Sequence, residues 1–523
     1  MMKTICLYLM CGAIPTLFAK PQNNCKENEF RFSNLYQDRM VLQREPESAT
    51  VWGYGTLPQD SDATVTCTTL SKMEKVFRAF PFQESDDIWK LQLEAQAGGT
   101  ICTITIQIAT GCQISINEVL FGDVYLCSGQ SNMVFQMQQI FNASEEWEYS
   151  KQYTDIRYTR VVTESAEKPD DTMDINLTHE WSDPTQNQFQ YMSAVCFLYA
   201  RNIYDQVGIP LGLVVSAWGG THIESWSTPE MLEQCGIDKE QPNCNGDMQN
   251  CNSRLYNKMI HPLRKNTFKG FLWYQGEANA KWNRDLYNCS FPAKIDGWRS
   301  IFSSNSNTNI DAPYGFVQLS TVKYTEPSID YPMVRWHQTA DYGYVPNDRQ
   351  SNVFMAIAID TYDPENGVHP RYKQIVGQRL ATAGMNIVYG DKSYPTNGPM
   401  VTKADLIEGP ILSLVYDQEI NYNNEEKSGF YYCCWLDFNE CNRGNNGHWV
   451  ELDKKLVKYD NSNGMSNTIN ILIGEIIVCE IEIPHIAYLW RQTPIKKYLG
   501  APIYAKDIFA LPSAPWQMTS VIN

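Results

Sequence analysis

The sequence predicts an α/β fold, a domain of parallel sheet and helices over residues 117–392 flanked by β-sandwich-type regions. Three observations point there. Between Val119 and Tyr389, short and nearly continuous apolar runs (Val124–Cys127, Gly212–Val215, Gly270–Tyr274 and Val353–Ile359) alternate with helical stretches, and such runs suit a sheet buried on both faces. Ahead of them, residues 26–116 hold short alternating runs cut by Gly and Pro, among them Ala49–Gly53 and Cys102–Ile108, the pattern of antiparallel strands. Beyond them, residues 393–523 carry Ile411–Val415 and Ile469–Ile473, which predict a C-terminal β domain.

Composition bounds the rest. A chain of 523 residues exceeds one hydrophobic core. With 43% hydrophobic and 19% charged residues it buries a substantial interior, which excludes disorder as its main description. The 42 basic and 59 acidic side chains give a net charge of −17, which argues against nucleic acid or an anionic membrane surface as partner and favours a neutral or polar substrate. Aromatic residues make up 12%, with 14 Trp and 30 Tyr, a mix that serves carbohydrate sites and β-rich cores alike.

In chain order, Met1–Lys3 and the apolar run Thr4–Phe18 read as a signal peptide over residues 1–19, with Ala19 at the cleavage position. Its removal takes Cys6 and Cys11 from the 16 cysteines and leaves an even 14, which suits an oxidising compartment. Cys235, Cys244 and Cys251 crowd one loop, and Cys433, Cys434 and Cys441 another, so local bridges are expected. Asn142, Asn176 and Asn288 head glycosylation sequons. No later apolar run reaches the roughly 18 residues of a membrane span. The expected compartment is the secretory pathway, lysosomal or secreted. The helix after Pro370 is amphipathic through Ile375, Val376, Leu380 and Ala383, with Pro370 in its first turn.

Chemistry gathers where strands end. Cys127–Met133 follows one strand and contains Ser131. A serine at a strand-to-helix turn projects its Oγ from the carboxyl edge of a parallel sheet, where open α/β sheets bind ligands, although a helix cap uses the same residue. Trp218–Thr221 follows a second strand with Gly219 and Gly220, and Trp273–Asn279 ends a third with Gln275 and Glu277. Ile359–Pro370 follows the last and carries His369. These parts suit acyl transfer: Ser131 attacks an ester carbonyl, and His369 takes its proton and returns it to the leaving alcohol. The N–H groups of Ser131 and of Gly219 or Gly220, with the Gln275 amide, would hold the oxyanion. His222 and His485 are the rival histidines.

The chain resembles the sialate O-acetylesterases, within the SGNH-type hydrolases, and is most similar to their animal members. The resemblance rests on Met40–Pro46, Gly122–Met133, Trp218–Trp226, Trp273–Asn279, Arg335–Asn347 and Val368–Pro370. It implies an SGNH-hydrolase-like three-layer domain and a metal-free, cofactor-free enzyme with an O-acetylated sialic acid or sialoglycoconjugate as its partner, notably the 9-O-acetyl ester. Ser131 matches the family nucleophile and His369 the base. Many bacterial relatives place Asp two residues before this histidine, and the wider superfamily three before; here those positions are Gly367 and Asn366. The orienting acid is then Asp363, Asp360 or Glu365, with Asp363 first, or the site is a dyad. Arg335 and Gln338 are the residues expected to reach the sialate carboxylate or hydroxyls, and an ion-pair role for Arg335 stays open.

Other readings are an esterase for another acetylated carbohydrate such as xylan, an inactive glycan-binding glycoprotein, and a glycosidase built on Glu277, for which no partner carboxylate is identifiable. No zinc-ligand spacing occurs. Oligomeric state is not legible.

Overall fold

One 17-residue strand, Gln113–Gly129, organises the protein. The computed structural model describes residues 30–518 apart from 60, 70, 109–110, 239–246, 324–327, 408–410, 424, 426, 445–446, 461–465 and 477–483; the expected signal peptide, 1–19, lies outside them. The first part of the strand alternates buried Ile114 and Ile116 with half-buried neighbours, and pairs antiparallel with Ile101–Gln107. That ladder continues through Asp62–Thr68 to Glu74–Ala79. From Val119 onward every residue is buried. The switch from half-buried to fully buried sheet comes at Glu118, which has φ 53° and sits beside a shift in register. Residues 116 and 117 are therefore neighbours within one strand, and the antiparallel and parallel regions share a single ladder.

We number the strands of the parallel region β1 Gln113–Gly129, β2 Ile156–Val161, β3 Leu177–Ser182, β4 Leu211–Ala217, β5 Gly270–Tyr274, β6 Tyr314–Gln318 and β7 Val353–Ile357. Their spatial order is β3-β2-β4-β1-β5-β6-β7, parallel throughout except for the β2–β3 pair. The packing helices are α1 Ala194–Val207, α2 Tyr287–Asn305, α3 Asp330–His337 and α4 Lys373–Ile387. Side chains alternate across the strands, so α1 and α4 cover one face and α2 the other. On the first face Cys127 is bonded to Cys196, and Tyr199 packs against Tyr125 and Phe354. On the second, Phe271, Tyr314 and Phe316 meet Phe291, Trp298 and Phe302.

Register then brings the functional loops together. Gly129 lies beside Ala217 on one side and Tyr274 on the other. The Gln130–Ser131, Trp218–Gly220 and Gln275–Glu277 segments therefore leave the sheet at the same edge. Helix α4 starts at Lys373, with Tyr372 as its N-cap, so Pro370 stands outside the first turn where the pattern placed it. The main-chain N–H and guanidinium of Arg371 are committed to Asp363, which holds residues 363–371 as a loop.

The C-terminal strands, Val401–Ile407 to Trp516–Met518, form two four-stranded sheets and a two-stranded one. They join the parallel region at buried Asp360, whose carboxylate pairs with Arg379 at 2.6 Å and accepts the Tyr504 hydroxyl at 2.6 Å. Tyr498 also stacks on Tyr372, ring centres 3.7 Å apart. Among the disulfides, Cys433–Cys441 is local as expected, whereas Cys235 leaves its cluster to pair with Cys289. The physical reason is a small apolar cluster that seats Cys235, Leu232 and Ile237 against Ala293 of α2. No helix among the described residues is long and apolar enough to cross a membrane.

Candidate active site

Ser131 opens a single helical turn, Ser131–Val134, two residues past the end of β1. Gly129 makes that turn possible. It has φ 137°, and a Cβ there would lie 2.2 Å from the Tyr274 carbonyl oxygen, a conformation and a contact only glycine tolerates. Across the edge, a Cβ on Gly219 would lie 3.3 Å from that of Ser131, so the Gly219 backbone approaches the serine closely. The main-chain N–H groups of Ser131, Gly219 and Gly220 donate to no other group among the described residues. They are free to meet an oxyanion, where one such donor is worth about 3 kcal/mol.

His369 Nε2 stands 2.7 Å from Ser131 Oγ. Its loop is closed on itself: His369 N–H donates to the Asn366 carbonyl at 3.0 Å, and Asn366 Nδ2 donates to the His369 carbonyl at 2.5 Å. The ring stacks at 6.4 Å on Phe135. Burial pushes the imidazole below its ordinary value, and the charge of Lys373 pushes the same way. The ring is thus held toward its neutral form, in which Nε2 has a lone pair for the Ser131 hydroxyl proton.

Beneath this pair lies a polar network that the sequence did not disclose. Asn132 is fully buried; its Nδ2 donates to Glu277 Oε1 at 2.5 Å and to the Val368 carbonyl at 2.9 Å, and its Oδ1 accepts from Lys373 Nζ at 2.6 Å. Burial depresses Lys373 to about 7 against the pull of Glu277 and Asp363, and raises Glu277 above the usual carboxylate range. Glu277 Oε2 is buried and takes no hydrogen bond among the described residues. A signal for Lys373 was present, since it shares the buried stripe of α4 with Val376 and Leu380. A lysine at that period belongs inside, and inside it needs a partner.

Several expected roles are corrected by the geometry. Asp363 does not touch His369: it is buried in a bidentate pair with Arg371 at 2.7 and 2.9 Å. Burial raises that carboxyl, but the hydrogen bonds from Arg371 outweigh it and hold the group below its ordinary value. Asp360 is spent on Arg379 and Tyr504, and Glu365 on Arg371. Among the described residues no carboxylate hydrogen-bonds His369, so the arrangement is a serine–histidine dyad.

Gln275 cannot serve the oxyanion, because its Nε2 donates to the Thr221 carbonyl and Asn279 Oδ1 and its Oε1 accepts from Tyr287. Glu277 faces Asn132 rather than a ligand. Arg335 is wholly buried, its guanidinium donating to the carbonyls of Leu319, Ser320 and Arg491 at 2.8–2.9 Å and of Gln492 at 3.4 Å. Gln338 is buried likewise, donating to the Gln275 and Val317 carbonyls and accepting from Leu319 N–H. Both residues brace loops at the sheet edge instead of meeting substrate. Of the rival histidines, His222 stacks on Trp282 and His485 bonds the Trp435 carbonyl.

Comparison with known proteins places this chain in a family. The family profile described as "Carbohydrate esterase, sialic acid-specific acetylesterase" matches residues 121–385, and that described as "Sialate O-acetylesterase C-terminal domain" matches 407–520. The human sialate O-acetylesterase is 36% identical over 506 residues, covering 93% of this chain and 92% of its own. The chain belongs to the sialate O-acetylesterase family. The mouse sialate O-acetylesterase is 39% identical over 453 residues, covering 78% of this chain and 83% of its own. A crystal structure of a carbohydrate acetylesterase from Xanthomonas citri shares the fold, with a TM-score of 0.72 and 24% identity, covering 94% of this chain and all of that one.

Proposed function

We propose that this member of the sialate O-acetylesterase family is a serine esterase that removes O-acetyl groups from sialic acids, the 9-O-acetyl ester above all, through an acyl-enzyme on Ser131. The observation that carries the reading is the 2.7 Å contact between Ser131 Oγ and His369 Nε2, at an edge where the Gly219 backbone approaches Ser131 and the amides of Ser131, Gly219 and Gly220 are free among the described residues. In the first half-reaction Ser131 Oγ adds to the acetyl carbonyl while its proton passes to His369 Nε2. The amides hold the oxyanion until the sugar hydroxyl leaves with that proton. In the second, His369 takes a proton from water as it attacks the acetyl-serine, then returns that proton to Ser131 Oγ as the bond to the acetyl group breaks, releasing acetate and restoring neutral His369 and Ser131. All of this is done by side chains and amides of the SGNH-type three-layer core.

The family assignment supports sialylated substrates, and disulfides such as Cys67–Cys102 and Cys127–Cys196 support passage through the secretory pathway to the lysosome or the exterior. The experiment is acetate release from 9-O-acetyl-N-acetylneuraminic acid by the purified protein. Wild type is expected to release acetate, and Ser131→Ala to release none while keeping its circular dichroism and melting profile. Turnover by Ser131→Ala at the wild-type rate removes Ser131 from the reaction.

A further inference from the structure

The dyad raises a physical question: with no carboxylate among the described residues bonded to His369, something else must hold its ring against Ser131. In a triad the acid fixes the imidazole's orientation and offsets the charge it gains. Here Asn132, adjacent to the nucleophile, reaches across to the loop that carries the base and donates to the carbonyl of Val368, the residue preceding His369, at 2.9 Å. One side chain thus ties the serine turn to the histidine loop.

The orientation of the Asn132 amide is itself determined. As an ammonium Lys373 Nζ has only protons to give and lies on Oδ1, whereas the Glu277 carboxylate Oε1 is an acceptor and lies on Nδ2. A flipped amide would set Lys373 against an NH₂ group and Glu277 against a carbonyl oxygen, so the Val368 carbonyl would lose its donor. Asn132 and Lys373 are entirely buried, where a misdirected polar contact is costly. From this geometry we infer that Asn132, oriented by Glu277 and Lys373, is the positioning element for the Ser131–His369 pair and replaces the ring-orienting acid of a triad. The inference rests on Ser131 being the activated nucleophile.

Lys373 has a second, electrostatic consequence. The charged groups around His369 are Lys373 from α4, Glu277 from the loop after β5, acting through Asn132, and Asp363, Glu365 and Arg371 of its own loop, both carboxylates being paired with Arg371. Lys373 is the cation among them that bears on the ring, and it disfavours the imidazolium.

The test uses the full-length protein and diisopropyl fluorophosphate, which reports serine activation whatever the natural ester. The second-order rate of labelling at Ser131 is measured across pH for wild type, Asn132→Ala, Glu277→Ala, Glu277→Gln and Lys373→Met, with Ser131→Ala as the unlabelled control. Asn132→Ala and Glu277→Ala are expected to react about 10²-fold more slowly, the scale of a misplaced catalytic group. Glu277→Gln keeps an acceptor for the Asn132 amide and is expected to retain most of the wild-type rate, a rescue that lost packing alone would not show. Lys373→Met is expected to move the acid limb of the profile to higher pH, because a cation that disfavours protonated His369 is gone. An Asn132→Ala protein that labels at the wild-type rate overturns the proposal, as does an acid limb that stays in place in Lys373→Met. Should Asn132→Ala fail to fold, the contrast between Glu277→Ala and Glu277→Gln decides. A wild-type protein that is labelled at Ser131 yet releases no acetate from sialic acids refutes the substrate reading and leaves this inference standing.

Discussion

Replacing Arg335 with Met separates two roles that the sequence alone leaves open. As a substrate contact, Arg335 would bind the sialate carboxylate, and its loss would raise KM for sialic acid esters while sparing a neutral acetyl ester. The structure assigns it another task. Its side chain is wholly buried, and its guanidinium donates to carbonyls of two segments, Leu319–Ser320 after β6 and Arg491–Gln492 of the C-terminal region. Three of these bonds are 2.8–2.9 Å long and the fourth is 3.4 Å. Removing the donors strands the buried carbonyls of Leu319 and Ser320 and the partly buried one of Arg491, each costing about 1–3 kcal/mol at most. Such costs are not additive, and the methionine recovers some apolar packing, so a net loss of about 3–5 kcal/mol follows. At roughly 2–4 °C per kcal/mol, the scale for domains of 150–250 residues, the melting temperature falls by about 6–20 °C. The assay pairs thermal unfolding with Michaelis constants for 9-O-acetyl sialic acid and for 4-nitrophenyl acetate. Unchanged melting together with a tenfold higher KM for the sialate alone would refute this reasoning and return Arg335 to the substrate.

Asp363→Asn tests the dyad: a triad acid would cost about 10⁴-fold in kcat, whereas loss of the Arg371 pair is expected to lower the melting temperature and leave kcat within about tenfold, so a fall of the larger size would put Asp363 back on the histidine. The pH profile of kcat/KM reports His369 in the free enzyme. Burial and Lys373 both hold that imidazole below 6.5; it stays neutral and active as pH falls through that value, and activity is lost only lower. An acid-limb midpoint at or above 6.5 contradicts this.

Much of the site was legible because one physical rule produces it. Fully apolar runs form a buried parallel sheet, and such sheets carry their chemistry on the loops that follow the strands. Hence Ser131, Gly219 and His369 could be singled out from position; Ser131 and Gly219 come together through the register of Gly129 with Ala217, while His369 reaches Ser131 on the loop between β7 and α4. The errors share a cause as well. Gln275 and Asp363 are polar residues of those loops, and Arg335 and Gln338 stand at the end of α3 beside them; a linear pattern cannot tell a side chain that points out of an edge from one that points back under it. Gln275, Arg335 and Gln338 turned inward because segments at a crowded edge expose main-chain carbonyls that need donors, and Arg and Gln supply them. Asp363 found Arg371 eight residues on, a closer match than the imidazole.

By itself, the sequence pointed to a class of chemistry: a candidate nucleophile, a candidate base and two glycines, each just beyond a strand, in a chain whose net charge of −17 argues against polyanionic partners. Tertiary structure alone decided which polar groups face a ligand and which hold the frame. The reason is that hydrogen-bond satisfaction is a property of buried space and not of chain order. Asn132 meets Val368 and Lys373 across more than 230 residues of sequence, and Arg335 serves carbonyls more than 150 residues away. The local cation that an anionic sugar calls for is therefore not Arg335, whose charge lies buried at the junction with the C-terminal region.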